Sequence, residues 1–254
     1  MLTQAVLSLS PLVWAALALA CLFGGVVKGV VGVGLPLVLV PLTTQFLDVP
    51  AAIALLTVPM IATNIAQAAE GGHTLAAIRR LAPVLATLIP GIWVGVHLLI
   101  SIDRRLLNSI LGIAFICLAA LLLCLPRLRL DPRSDRWTAP LAGAIAGLLG
   151  GLSAMFGPPM IVWMVSRGAT PDVFVKSMAI LAFSGSAALL LALGGSGSMS
   201  WPDLLVSAAA IVPIQLGMPL GRWLRRRIDP AVFRIGVLAL LALGGLDLLR
   251  RVWL

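Results

Sequence analysis

Residues 25–37 read GVVKGVVGVGLPL, which sets one lysine, Lys28, among four glycines and a proline. The nearest acidic residue is Asp48, twenty positions further on. An ammonium is costly to bury unless it pairs, meets water or reaches headgroups. Two readings of Lys28 follow. It stretches along apolar surface to the headgroup layer, or it faces the interior of a helix bundle and attracts an anion there. The glycines suit the second. A broken helix leaves its first N–H groups without intrahelical partners, and these, with the helix dipole, favour anionic oxygens. The run is not a nucleotide fingerprint. GxGxxG needs a preceding strand in a soluble fold, and the phosphate loop needs GKS or GKT.

Other polar residues stand inside apolar stretches. Thr57, Thr63, Asn64 and Gln67 share one block, and Lys176, Ser177, Ser184 and Ser186 share its later counterpart. Asn64, Ser184 and Ser186 are deep enough to orient a substrate. Gln67 is near a block end, where helix-to-helix or headgroup contact explains it. Lys176 reads as snorkelling from the start of its block. His97 is read as an interfacial histidine, with a proton relay as the alternative. No block holds a deep carboxylate. Asp172, Asp203 and Asp229 sit in joints or first turns as helix N-caps, and Asp247 sits beside Arg250. There is no Ser-His-Asp set, no HExxH and no cysteine pair. Two histidines and nine acids leave little for a metal. The chain therefore reads as a non-enzyme without catalytic residues, metal or cofactor. Cys21, Cys117 and Cys124 read as small packing residues.

The elements that hold these residues are set by composition. Of 254 residues, 61% are hydrophobic and 11% charged, with mean hydropathy +1.11. A soluble chain carries about 25% charge. Apolar runs near twenty residues without alternation specify an all-α polytopic membrane protein rather than a barrel. The net charge of +9 comes from arginines between the runs, which fits lipid headgroups and not nucleic acid. No positive region precedes the first run, so no cleaved signal peptide is expected.

The blocks fall at 12–47, 50–69, 81–100, 106–126, 137–165, 172–194, 203–221 and 231–249. Block 12–47 would span about 54 Å as one helix, against a hydrocarbon core of about 30 Å. It and block 137–165, interrupted by GLLGG and GPP, are expected to be broken or re-entrant. Charge supports this. If each long block crosses once, the two sides carry 8 and 9 Lys and Arg, leaving Lys28 aside; if each enters and returns, the split is 13 to 4. The second is a positive-inside pattern. Residues 1–127 and 137–254 read as two homologous membrane repeats joined by the hydrophilic linker 128–136. Gly29 and Gly32 align with Gly147 and Gly150, and Gly91 and Gly95 with Gly217 and Gly221. Three crossings and one return per half would invert the second repeat. The Gly91/Gly95 and Gly217/Gly221 pairs read as close helix packing.

GGVVKGVVGVGLPLVLVPLTTQFLDVPAAIALLTVPMIATNIAQA in the first half and GAIAGLLGGLSAMFGPPMIVWMV in the second resemble the TauE/SafE sulfite exporter family. The resemblance covers nearly the whole chain. It implies a multi-pass permease of the bacterial inner membrane for sulfite, sulfonates or related small anions. The resemblance assigns Lys28 to no family signature. The expected substrate site joins Lys28, Gly29, Gly32 and Gly34 to Asn64, Gly150, Gly151, Leu152, Ser184 and Ser186. The expected partners are a small anion and membrane lipid, with homo-oligomers left open. A structural or assembly subunit packing through GxxxG faces is the competing reading.

Overall fold

The computed structural model describes residues 2–7, 9–31, 34–69, 74–124, 135–167, 171–224, 227 and 230–253. Every element among them is helical: α1 (Leu2–Leu7), α2 (Pro11–Val31), α3 (Leu35–Thr43), α4 (Val49–Ala69), α5 (Thr74–Ser101), α6 (Arg104–Cys124), α7 (Asp135–Ser153), α8 (Gly157–Ser166), α9 (Pro171–Gly195), α10 (Trp201–Ala209), α11 (Ile211–Leu224) and α12 (Pro230–Trp253). Among the described residues, four stretches are long and apolar enough to cross a membrane: Pro11–Val30, Ala77–Ser101, Lys176–Gly195 and Trp201–Leu224. The last joins α10 to α11 across Ala210, three residues before Pro213. The linker 128–136 lies outside the described residues as far as Ser134.

Both long blocks are broken. The first breaks between Val31 and Leu35, where Gly34 has φ +92°. A side chain is disfavoured in that left-handed region. The chain then doubles back, because Gly24 packs against the Leu39 side chain. A continued helix would hold those residues about 22 Å apart. The second block breaks between Ser153 and Gly157, where Ala154 takes φ +59°.

The glycines earlier in these runs do not break the chain. α2 passes through Gly24, Gly25 and Gly29 unbroken, and α7 passes through Gly147, Gly150 and Gly151. Most of them serve close packing. Gly25 and Gly29 meet Ile214 and the Met218–Arg222 backbone, while Gly217 and Gly221 meet Leu22–Val26 and Gly29. Gly143, Gly147 and Gly151 meet the α5 backbone around Val84, Gly91 and Gly95. Residue numbers rise together along each seam, so α2 runs parallel to α11 and α7 parallel to α5. A Cβ at these positions would collide with backbone oxygen, so only glycine permits the approach. α6 and α12 pair in opposite directions, with Gly245 against Gly112 and Phe115–Ile116 and Gly112 against Leu249.

The joint after α3 meets two distant segments. Arg104 pairs with Asp48 at 3.0 Å. Arg251 donates to the Thr44 carbonyl at 2.6 Å, and Gln45 donates to Asp247 at 3.0 Å. Residues 44–48, the α5–α6 joint and the end of α12 thus share one end of the bundle. One crossing per long block would put Arg251 opposite Thr44, so the enter-and-return arrangement is the one that folds. Trp14, Trp137, Trp201 and Trp223 stand exposed near helix ends, as interfacial anchors do. Leu12, Leu19, Ile113, Leu216 and Leu243 are also exposed and suit a lipid-facing surface.

Candidate functional site

The two breaks face each other across a cavity of about 30 Å³. That is room for little more than one water-sized group. The first break supplies Gly34, Leu35, Pro36 and Leu37, and the second supplies Ala154 to Pro158. Lys28 from α2, Met60 and Asn64 from α4, and Met178 and Ala182 from α9 complete the wall. Neither α3 nor α8 has a side-chain cap at its start. The positive ends of two short helices therefore open on the same space. Proline occupies N1 or N2 in each, which removes donors that would otherwise be left without partners.

Lys28 is 2% exposed and Asn64 4%. The ammonium donates to Thr63 Oγ1 at 2.8 Å and to Asn64 Oδ1 at 2.6 Å. Buried and bonded to Thr63 and Asn64 of α4, it turns inward and does not snorkel to headgroups. An ammonium has three donors, and the third has no acceptor among the described residues. Thr63 donates its own proton to the Pro59 carbonyl at 2.7 Å, which turns its lone pairs to Lys28. A lysine only donates, so Asn64 must present its oxygen to it. The Asn64 NH₂ group is then free of protein acceptors, since no other hydrogen bond to Asn64 is made among the described residues.

α4 is what aims Thr63 and Asn64. Pro59 lies inside the helix and cannot donate to Leu55, four residues back. Ser207 of α10 supplies the missing bond. Its hydroxyl donates to the Leu55 carbonyl at 2.8 Å and accepts from the Val58 N–H at 3.2 Å. Ser207 is fully buried. Met60, Thr63 and Asn64 thus follow directly on a proline whose missing bond Ser207 makes good.

Of the residues expected from sequence, Lys28, Gly34 and Asn64 come together here. Gly32 lies outside the described residues. Gly29 and Gly151 are in the glycine seams, and Leu152 is buried in the core. Gly150 touches the site indirectly, because its missing side chain leaves space for the Phe156 ring. Ser186 donates to the Ala182 carbonyl of its own helix at 2.7 Å, and Ser184 is half-buried outside the cavity lining. The second break contributes residues a few positions later than the glycine alignment implied, because helix packing claims Gly147 and Gly151. Thr63, Met60, Phe156, Pro158 and Met178 were not placed in the site by sequence. Thr63 adjoins Asn64 in an apolar block, and GPP marks Pro158; the others carry no such signal. His97 is exposed on α5, away from the cavity. No cluster of three or more metal-ligating side chains occurs among the described residues.

A comparison with curated proteins and with solved structures returns no match. Residues 17–248 match the family model described as Sulfite exporter TauE/SafE. With nearly its whole length matched, and two broken helices enclosing the cavity, the chain belongs to the sulfite exporter TauE/SafE family.

Proposed function

We propose that this chain is a secondary transporter that exports small organic or sulfur-containing anions, sulfite and sulfonates among them, across the bacterial inner membrane. The family is one of transporters rather than enzymes. The observation that carries the substrate site is Lys28, a buried cation held by two neutral acceptors at the meeting point of two uncapped helix starts. Lys28, Asn64, Gly34 and the backbone of both breaks bind the anion. The cavity is small.

The two halves, 1–127 and 137–254, are read as inverted repeats. The antiparallel α6–α12 pair supports this, as does the exchange of partners by which α2 packs on α11 and α7 on α5. Those seams join each hairpin to a helix of the other half. The bodies that rock are therefore hairpin-and-helix units that cross the sequence halves. Their movement exposes the cavity to each side in turn. Export follows the membrane potential, which favours outward movement of an anion by about 2.3 kcal/mol per charge at 100 mV.

Flux of labelled sulfite and methanesulfonate into vesicles containing the protein tests the reading. Flux above that of empty vesicles, lost in Lys28→Met with the protein still folded, is expected. No flux above empty vesicles removes the transport reading. Unchanged flux in Lys28→Met removes Lys28 from the site.

A further inference from the structure

We propose that the cavity selects singly charged anions bearing a small apolar group, and rejects dianions. This rests on the transport reading above and narrows its substrate class.

The side-chain donors cluster on one side. Lys28 has one N–H left after Thr63 and Asn64, and Asn64 has its NH₂ group. Both reach a ligand from the α2–α4 face. Among the described residues lining the cavity, Lys28 and Asn64 are the sole polar side chains. The opposite wall is Met155, Phe156, Pro158, Met178 and Ala182. A ligand with oxygens all round would meet on that wall only backbone N–H groups of the second break, where Pro158 and Pro159 supply none, and oxygens left without donors are costly in a buried site. A ligand with oxygens at one end and a methyl-sized group at the other pairs its oxygens and buries the rest.

Charge gives the second constraint. The cavity holds one cation and no second among the described lining residues. A monoanion balances it. A dianion leaves one uncompensated negative charge in a largely buried space, which helix dipoles offset only in part. Size gives the third. The Phe156 ring lines the space beside Lys28. That ring is seated where Gly150 and Gly185 have no side chains. Phe156 therefore limits the length of the apolar group.

The test is counterflow in proteoliposomes of the purified protein, using methanesulfonate, sulfate and benzenesulfonate at equal concentration. Methanesulfonate is expected to enter at least tenfold faster than sulfate. Phe156→Ala is expected to raise benzenesulfonate relative to methanesulfonate at least fivefold, with size-exclusion profiles confirming a folded protein. Should that variant not fold, Phe156→Leu serves the same comparison. A methanesulfonate-to-sulfate ratio below ten overturns the charge selection while leaving anion transport in place. An unchanged benzenesulfonate ratio in a folded variant overturns the role of Phe156. No counterflow of any anion removes the transport reading itself, and this one with it.

Discussion

Replacing Ser207 by Ala removes the hydroxyl that donates to the Leu55 carbonyl at 2.8 Å. That carbonyl has no helical donor, because the residue four ahead is Pro59. Leaving it unpaired in a buried position costs about 1–3 kcal/mol. For a chain of this size that is a Tm drop of roughly 2–4 °C per kcal/mol. The informative comparison is with Pro59→Ala, which restores an N–H at position 59 able to bond Leu55. In that background the same Ser207→Ala change should cost at least about 1 kcal/mol less, a coupling expected of groups that share one partner. Unfolding in detergent can be followed by thiol labelling of buried Cys21, with Cys117 and Cys124 changed to serine. The single Ser207→Ala variant should also slow methanesulfonate counterflow, because Thr63 and Asn64 lie on the segment beyond Pro59. Equal costs of Ser207→Ala in both backgrounds would refute the idea that Ser207 compensates the proline.

Three further outcomes are expected. Asn64→Leu should weaken methanesulfonate transport more than Ser186→Ala, since Ser186 bonds only within its own helix; equal losses measured by counterflow would contradict the placement of the site. Gly34→Ala, at φ +92°, should destabilise by about 1–2 kcal/mol, whereas Ala154→Gly at φ +59° should be neutral or slightly stabilising, both read from the Cys21 labelling melt. Gly221→Leu should disrupt the α2–α11 seam by at least about 1–3 kcal/mol through overpacking, while Leu216→Ala, on an exposed position of the same helix, should be nearly silent in the same melt.

Much of the architecture was legible in the chain. Composition alone specified a helical membrane protein, because so few charged groups cannot cover a soluble surface. The excess length of block 12–47 and the 13-to-4 charge split implied a return within each long block; the packing of Gly24 on Leu39 is what the first return requires and the contact of Arg251 with Thr44 what the second requires. Pairs such as Gly91/Gly95 and Gly217/Gly221 were read as packing surfaces and are. Composition and length are sums over the chain, and the membrane acts on such sums directly.

The site was legible only in part. Lys28 declared itself by being the one cation deep in an apolar run, and Asn64 by its depth in the next. Whether Lys28 snorkels or turns inward depends on where α4 places Thr63 and Asn64. That placement depends on how α4 passes Pro59, where Ser207, about 150 residues away in sequence, takes up the unpaired Leu55 carbonyl. The glycines misled for a related reason. One residue type serves both a break, as at Gly34, and a seam, as at Gly29 and Gly151, and nothing local separates the two uses. Sequence decided which solvent the chain lives in and where it must fold back. Tertiary structure decided which polar groups meet, because hydrogen bonds are short-ranged and form only between atoms the packed helices bring within 3 Å.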